Sequence, residues 1–423
     1  MNPELDPFSP AWREDPYPLY AELRDQAPVH YVESMKAFCV SRFDDVALVL
    51  KSPEAFSSRA MFTVLMNNGK RGVDLSWPGI KAMARLAFSM RVNPLVFSRS
   101  RPLIASDGER HTGLRSNVNR GFSPRRVLAW EPRIRELADG LLEPLREGEP
   151  FDLMRDLAVP LPVTIIAEML GVPPERHASF KRWSDCIIHN ASGPGRAHPF
   201  SAAFLDTLEE LFVYFHDEME ARRGRGDLGD DLIGAVMEAK DEGAQPLSTV
   251  DLIQFVVLLM VAGNETTTNL IGNGATALLD HPEQLAAAAN DPSLVPGLVE
   301  EVVRYDSPVQ VVFRLTTRET EVAGVRIPKG ANVAALLASA NRDERRFPEP
   351  DRFDITRQSQ GHVGFGFGKH FCLGASLARL EGRAAFEGLL PELVDVVAPP
   401  GKPERVDSFL VRGRRTLPIR LST

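Results

Sequence analysis

Phe365-Gly366-Phe367-Gly368-Lys369-His370-Phe371-Cys372-Leu373-Gly374 runs directly into an amphipathic helical pattern. Three glycines in this stretch let the chain turn tightly and bring its backbone close to a neighbour. The unpaired amide groups and positive end of a following helix favour a thiolate over a thiol at Cys372. Two plainer readings compete with a reactive cysteine. A phosphate loop would end in Gly-Lys-Ser or Gly-Lys-Thr, whereas Gly368-Lys369 is followed by His370 and no apolar strand leads in. A free cysteine is often inert core, and the motifs upstream decide against that.

The longest helical candidate is Ser248 to Asp280, with Ser248 and Asp251 spaced as a capping box and His281-Pro282 closing the far end. At 1.5 Å per residue it runs roughly 50 Å. Its flanks are mostly apolar, so it belongs inside the protein. At its middle stands Ala262-Gly263-Asn264-Glu265-Thr266-Thr267-Thr268. Threonine hydroxyls can bond the carbonyl four residues back, Thr266 to Ala262 here, and a local kink would leave a groove beside Glu265 and Thr266. Downstream, Glu301 and Arg304 are three apart and share a helix face. Upstream, His111 and Arg115 share a face at i, i+4, and Arg314 opens a predicted strand.

These motifs, in this order, resemble the soluble bacterial cytochrome P-450 monooxygenases over nearly the whole chain. The resemblance implies a mainly α fold with small β-sheets (α+β), in which a long central helix lies over a haem b group, and a single domain over residues 1–423. It makes Cys372 the axial ligand of the haem iron, since a thiolate under aromatic cover suits that task. Phe365, Gly366, Gly374 and Ala262 would pack against the haem. His111, Arg115, Arg314 and His370 would hold its propionates, arginine meeting a carboxylate with two bonds. Thr266 would be the catalytic alcohol and Glu265 the acid of a proton relay to bound dioxygen. Glu301 and Arg304 would lock to Arg352 of Pro350-Asp351-Arg352-Phe353 as a structural network. Asn264 departs from the histidine common at that place in bacterial members, and the stretch between Phe56 and His111 aligns poorly.

The implied reaction inserts one oxygen atom of O2 into a hydrophobic small molecule: a terpenoid, steroid, fatty acid or aromatic compound. Val261, Val309, Val312, Phe409 and Leu410 are expected in the pocket, along with residues of Met61–Phe97 and the helices near Phe180–Phe204. No bound flavin or NAD(P) is expected, so electrons would come from a separate ferredoxin or flavodoxin. Arg115, Arg120, Arg125, Arg126 and Lys369 would form its landing patch. A peroxide-driven enzyme and a non-catalytic haem sensor or carrier stay open as alternatives.

Composition narrows the setting. The chain of 423 residues is 43% hydrophobic and 25% charged, ordinary for a soluble globular protein. A formal charge of −8 argues against a general affinity for nucleic acid. The polar, proline-rich opening predicts no signal peptide or membrane anchor, and the apolar run Phe255 to Ala262 is too short to span a bilayer. Cys39, Cys186 and Cys372 are widely spaced, which fits a reducing cytoplasm better than a disulfide framework.

Overall fold

Thr249–Asp280 is one continuous α-helix of 32 residues in the computed structural model, which describes residues 9–61, 77–88, 101–119, 121–192, 202–238, 247–397 and 404–421. Its start follows the predicted box: the Ser248 hydroxyl accepts from the Asp251 amide at 3.2 Å and donates to the Asp251 carboxylate at 2.7 Å. The helix is α-helical throughout Ala262–Thr268. It is long and apolar enough to cross a membrane, a property that core helices share. Leu270 to Ala275 are all buried.

The chain divides into two compact units. One comprises Met1–Phe56, Pro124–Pro162 and Gly263–Thr423. It holds a five-stranded sheet ordered Val29–Val32, Ala37–Val40, Asn332–Leu336, Val311–Thr316, Phe56–Ser57. The first pair is an antiparallel hairpin, Ala37–Val40 runs parallel to Asn332–Leu336, and Val311–Thr316 is antiparallel to it. β-Branched and small residues such as Val40, Val333 and Ala335 bury one face against Val46, Val49 and Leu50 of the helix Phe43–Lys51. The predicted strand at Arg314–Thr320 is displaced: the strand is Val311–Thr316, and Arg314 lies inside it.

Helices Glu131–Arg146, Val295–Tyr305 and Ala375–Leu393 pack together beside the C-terminal half of the long helix. Glycines set that spacing. A Cβ on Gly274 would stand 2.3 Å from Phe386 Cζ, and one on Gly272 would stand 2.5 Å from Met154 Sδ. The second unit comprises Ser57–Ser123 and Val163–Ala262. In it, helices His177–Ser192 and Ala202–Arg225 pair through Trp183, Tyr214 and Phe215, and Arg222 fastens the following loop by pairing with Asp231 and Glu218.

Glu301 and Arg304 are wholly buried and pair through two bonds of 2.7 and 2.8 Å. Arg304 also donates to the carbonyls of Asn341, Pro350 and Arg352, while Glu301 accepts from the Asp354 amide and the Ser359 hydroxyl. The expected role of Arg352 is corrected here. Its side chain is 59% exposed and pairs with Glu349, and only its carbonyl enters the network. The second arginine at Glu301 is Arg357, whose Nε lies 3.4 Å from Oε1. The backbone of the loop turns Arg352 outward and brings in the side chain five residues later.

Removing one partner of a buried pair strands the other charge. Arg304→Ala should therefore lower stability by about 3–5 kcal/mol in urea titrations. Arg357→Ala should cost less, and Arg352→Ala should leave the midpoint where it is.

Candidate active site

The Cys372 loop is shaped by backbone geometry that only glycine adopts readily. Gly366 and Gly368 have φ of +73° and +70°, in the left-handed region. The Gly366 amide donates to the Val363 carbonyl and the Cys372 amide to the Phe365 carbonyl, both at 2.8 Å. Gly368–His370 forms one 3-10 turn, and Gly374 caps the helix Ala375–Leu393. Cys372 thereby stands at the helix entrance, exposed, unlike Cys39, whose burial pushes its thiol up to about 12. Among three cysteines, Cys372 is the one presented for ligation.

Arg379, about one turn along that helix, supplies positive charge. Its guanidinium lies 4.5 Å from the centre of the Phe365 ring and pairs with Glu300. Its pKa is raised, chiefly by the Glu300 hydrogen bond against the effect of burial, and further by the charges of Glu300 and Cys372. Burial acts to raise the Glu300 pKa, but hydrogen bonds from Arg379 and His362 outweigh it and hold the carboxyl at about 2. Sequence reading missed Arg379, because an arginine on an amphipathic helix reads as surface.

On the long helix, Asn264, Thr267 and Thr268 are buried, Glu265 and Thr266 are half-buried, and Ala262 is exposed. The accessible positions Val261, Ala262, Glu265 and Thr266 fall one turn apart and form one flank. The Thr268 hydroxyl donates to the Asn264 side-chain carbonyl at 3.4 Å, which turns this departure from the family pattern inward. A second residue missed by sequence reading is Glu381, on the buried side of the Ala375–Leu393 helix among Leu377, Ala384 and Ala385. Burial pushes its carboxyl up to about 8, against a hydrogen bond from Thr267. A carboxylate interrupting the apolar face of a helix was the signal available.

The other expected residues fall as follows. Arg314 is buried mid-strand and His370 half-buried in the 3-10 turn, both in the first unit. His111 is buried and Arg115 half-buried on one face of the helix Gly108–Asn119, in the second. Of the residues expected in the pocket, Val309 bridges Val411, Leu410 accepts from the Gln310 amide through its carbonyl, and the Phe409 ring lies 6.0 Å from that of Phe313. Val312 lies on the same strand, and Val261 is half-buried on the long helix. Arg120, most of Met61–Phe97 and part of Phe180–Phe204 lie outside the described residues.

Among the described residues, no cluster of three or more His, Cys, Asp or Glu side chains could hold a bare metal ion. A single presented thiol instead suits an iron whose remaining ligands come from a porphyrin. The residues fit a haem.

Known proteins agree. A family model described as Cytochrome P450 matches residues 85–416. The chain is 38% identical to the vitamin D(3) 25-hydroxylase of Pseudonocardia autotrophica, covering 98% of this chain and 96% of that one. It resembles the solved cytochrome P450 CYP109Q5 of Chondromyces apiculatus, with 40% identity, a TM-score of 0.84, and 99% and 98% of the two chains covered. For CYP109E1 of Bacillus megaterium, solved in complex with testosterone, the values are 33%, 0.82, 97% and 99%.

The raised pKa of Glu381 carries a sign. The folded chain keeps a proton that the unfolded chain releases above about 4.5, so stability falls as pH rises from about 4.5 to about 8. Glu381→Gln should flatten that slope, which amounts to a few kcal/mol at most across the window, in denaturation titrations at stepped pH.

Proposed function

The chain belongs to the cytochrome P450 family, and on that premise we propose that it hydroxylates a steroid- or secosteroid-sized apolar molecule through a Cys372-ligated haem. The observation that carries this reading is the Cys372 loop, which presents one thiol at a helix entrance beside the guanidinium of Arg379. The haem, when bound, supplies reductive activation of O2, with one atom entering the substrate and the other leaving as water.

The chain's own residues do the rest. Cys372 would ligate the iron through its thiolate, and Phe365, Gly366, Gly374 and Ala262 would pack against the haem. His111, Arg115, Arg314 and His370 would bind its propionates. Glu265 takes protons from solvent on the accessible flank of the helix, and Thr266 holds them at its hydroxyl for delivery. Val261, Val309, Val312, Phe409 and Leu410 exclude water and orient an apolar substrate. The vitamin D(3) hydroxylase and the testosterone complex support the proposed substrate size. Electrons come from a separate ferredoxin or flavodoxin drawn to Arg125, Arg126 and Lys369, which are exposed in the first unit.

Three measurements test this. Cys372→Ser should abolish the long-wavelength absorption of the reduced carbon monoxide complex, and a variant that keeps it sinks the assignment. Thr266→Ala should keep that absorption while product per electron pair drops by roughly tenfold, the balance appearing as hydrogen peroxide. Reversing Arg125 and Arg126 to glutamate should slow reduction by about tenfold at low salt and flatten its salt dependence.

A further inference from the structure

Glu300 sits on the helix Val295–Tyr305 and reaches across to Arg379 on the helix Ala375–Leu393, where the two pair through bonds of 2.5 and 3.0 Å. His362 holds the same carboxylate. Its ring accepts from the Gly364 amide through Nδ1 at 3.1 Å and turns Nε2 to Glu300 Oε2 at 3.2 Å. His362 and Arg379 also both meet the Phe365 ring, at 5.7 Å between ring centres and at 4.5 Å from guanidinium to ring centre. Ligation, propionate binding and proton delivery leave this set of side chains unused.

The ion pair has a direction. Its cationic end is the one stacked on Phe365, whose carbonyl accepts from the Cys372 amide at 2.8 Å, and the charge of Cys372 acts on Arg379. Its anionic end is turned to His362. Both charges are half-buried, so salt screens them less than the exposed Arg125 and Arg126. Near a redox metal, a fixed cation favours the form carrying one more electron, and a fixed anion disfavours it.

We propose, on the reading of Cys372 as the iron ligand, that the Arg379–Glu300 pair braced by His362 sets the reduction potential of that iron. Arg379 raises the potential and Glu300 lowers it. In the step concerned, one electron passes from the donor to the iron, the donor is oxidised by one electron, and no bond to the protein forms or breaks. Arg379 and Glu300 act as positioning residues of the field: they change how far that transfer runs, and neither carries the electron.

The test uses the haem-loaded enzyme without substrate or redox partner, titrated with dithionite and mediator dyes while absorption reports the reduced fraction. Arg379→Gln should move the equilibrium toward the oxidised form by about tenfold, which is about 59 mV for one electron. Glu300→Gln should move it by about as much toward the reduced form. Arg379→Lys keeps the charge and should stay within about twofold of the unaltered enzyme. A loop merely loosened would move both glutamine variants the same way. Shifts of one sign in both, or no shift in either, overturn the assignment. If Arg379→Gln takes up no haem, Glu300→Gln decides alone by rising or not rising, and failure of both to take up haem also overturns it. The long-wavelength absorption of the reduced carbon monoxide complex separates the two readings. Its absence from the unaltered enzyme sinks ligation by Cys372, whereas unmoved potentials with that absorption intact sink the role of the pair alone.

Discussion

One buried ion pair holds the loop system of the first unit in register. The Glu301 carboxylate and Arg304 guanidinium use nearly all their hydrogen-bonding capacity, and most of what they bind is backbone between Asn341 and Ser359. Such a pair contributes little net stability over an apolar replacement, since desolvation offsets the attraction. Its effect is geometric. An irregular chain has no ladder to fix its path, and two charges that tolerate no loose geometry supply one. Asn341 extends the arrangement, accepting from the Val363 amide and donating to Ser307, so the constraint reaches the residue that leads into the Cys372 loop.

From there the backbone carries the placement. Val363 accepts from Gly366, Phe365 accepts from Cys372, and the helix begins three residues after Cys372. Electrostatics follow the same path. Glu300, the neighbour of Glu301, keeps Arg379 in place, and Arg379 meets the charge of Cys372. Adjacent residues of one helix thus serve two ends: one fixes where the loop goes, the other fixes the field around its sulfur.

Much of this was legible in the sequence because it rests on local rules. The Ser248–Asp251 cap, the hairpin of Val29–Val32 with Ala37–Val40, and the glycine-rich turn at Gly366–Gly368 depend on near neighbours alone. What escaped depends on residues far apart. Arg352 and Arg357 both follow Glu301 at plausible spacing, and only the path of the loop selects Arg357. Arg314 looked like the start of a strand because the residues before it, Val311 to Phe313, read equally well as pocket lining. Glu381 draws its character from burial, which no short pattern encodes. The family resemblance named the site residues, and their chemistry remains a proposal resting on the loop and its surroundings.

Gly272 and Gly274 set a limit on how this scaffold can diversify. Met154 is flexible and could retreat from a methyl group at position 272, but the Phe386 ring and Val302 leave no room at 274. Libraries that randomise the long helix to widen substrate range can vary the accessible Val261 and Ala262 free of this constraint. Past Leu270 the same strategy meets a wall, where each added carbon must be matched by a compensating deletion on a neighbouring helix.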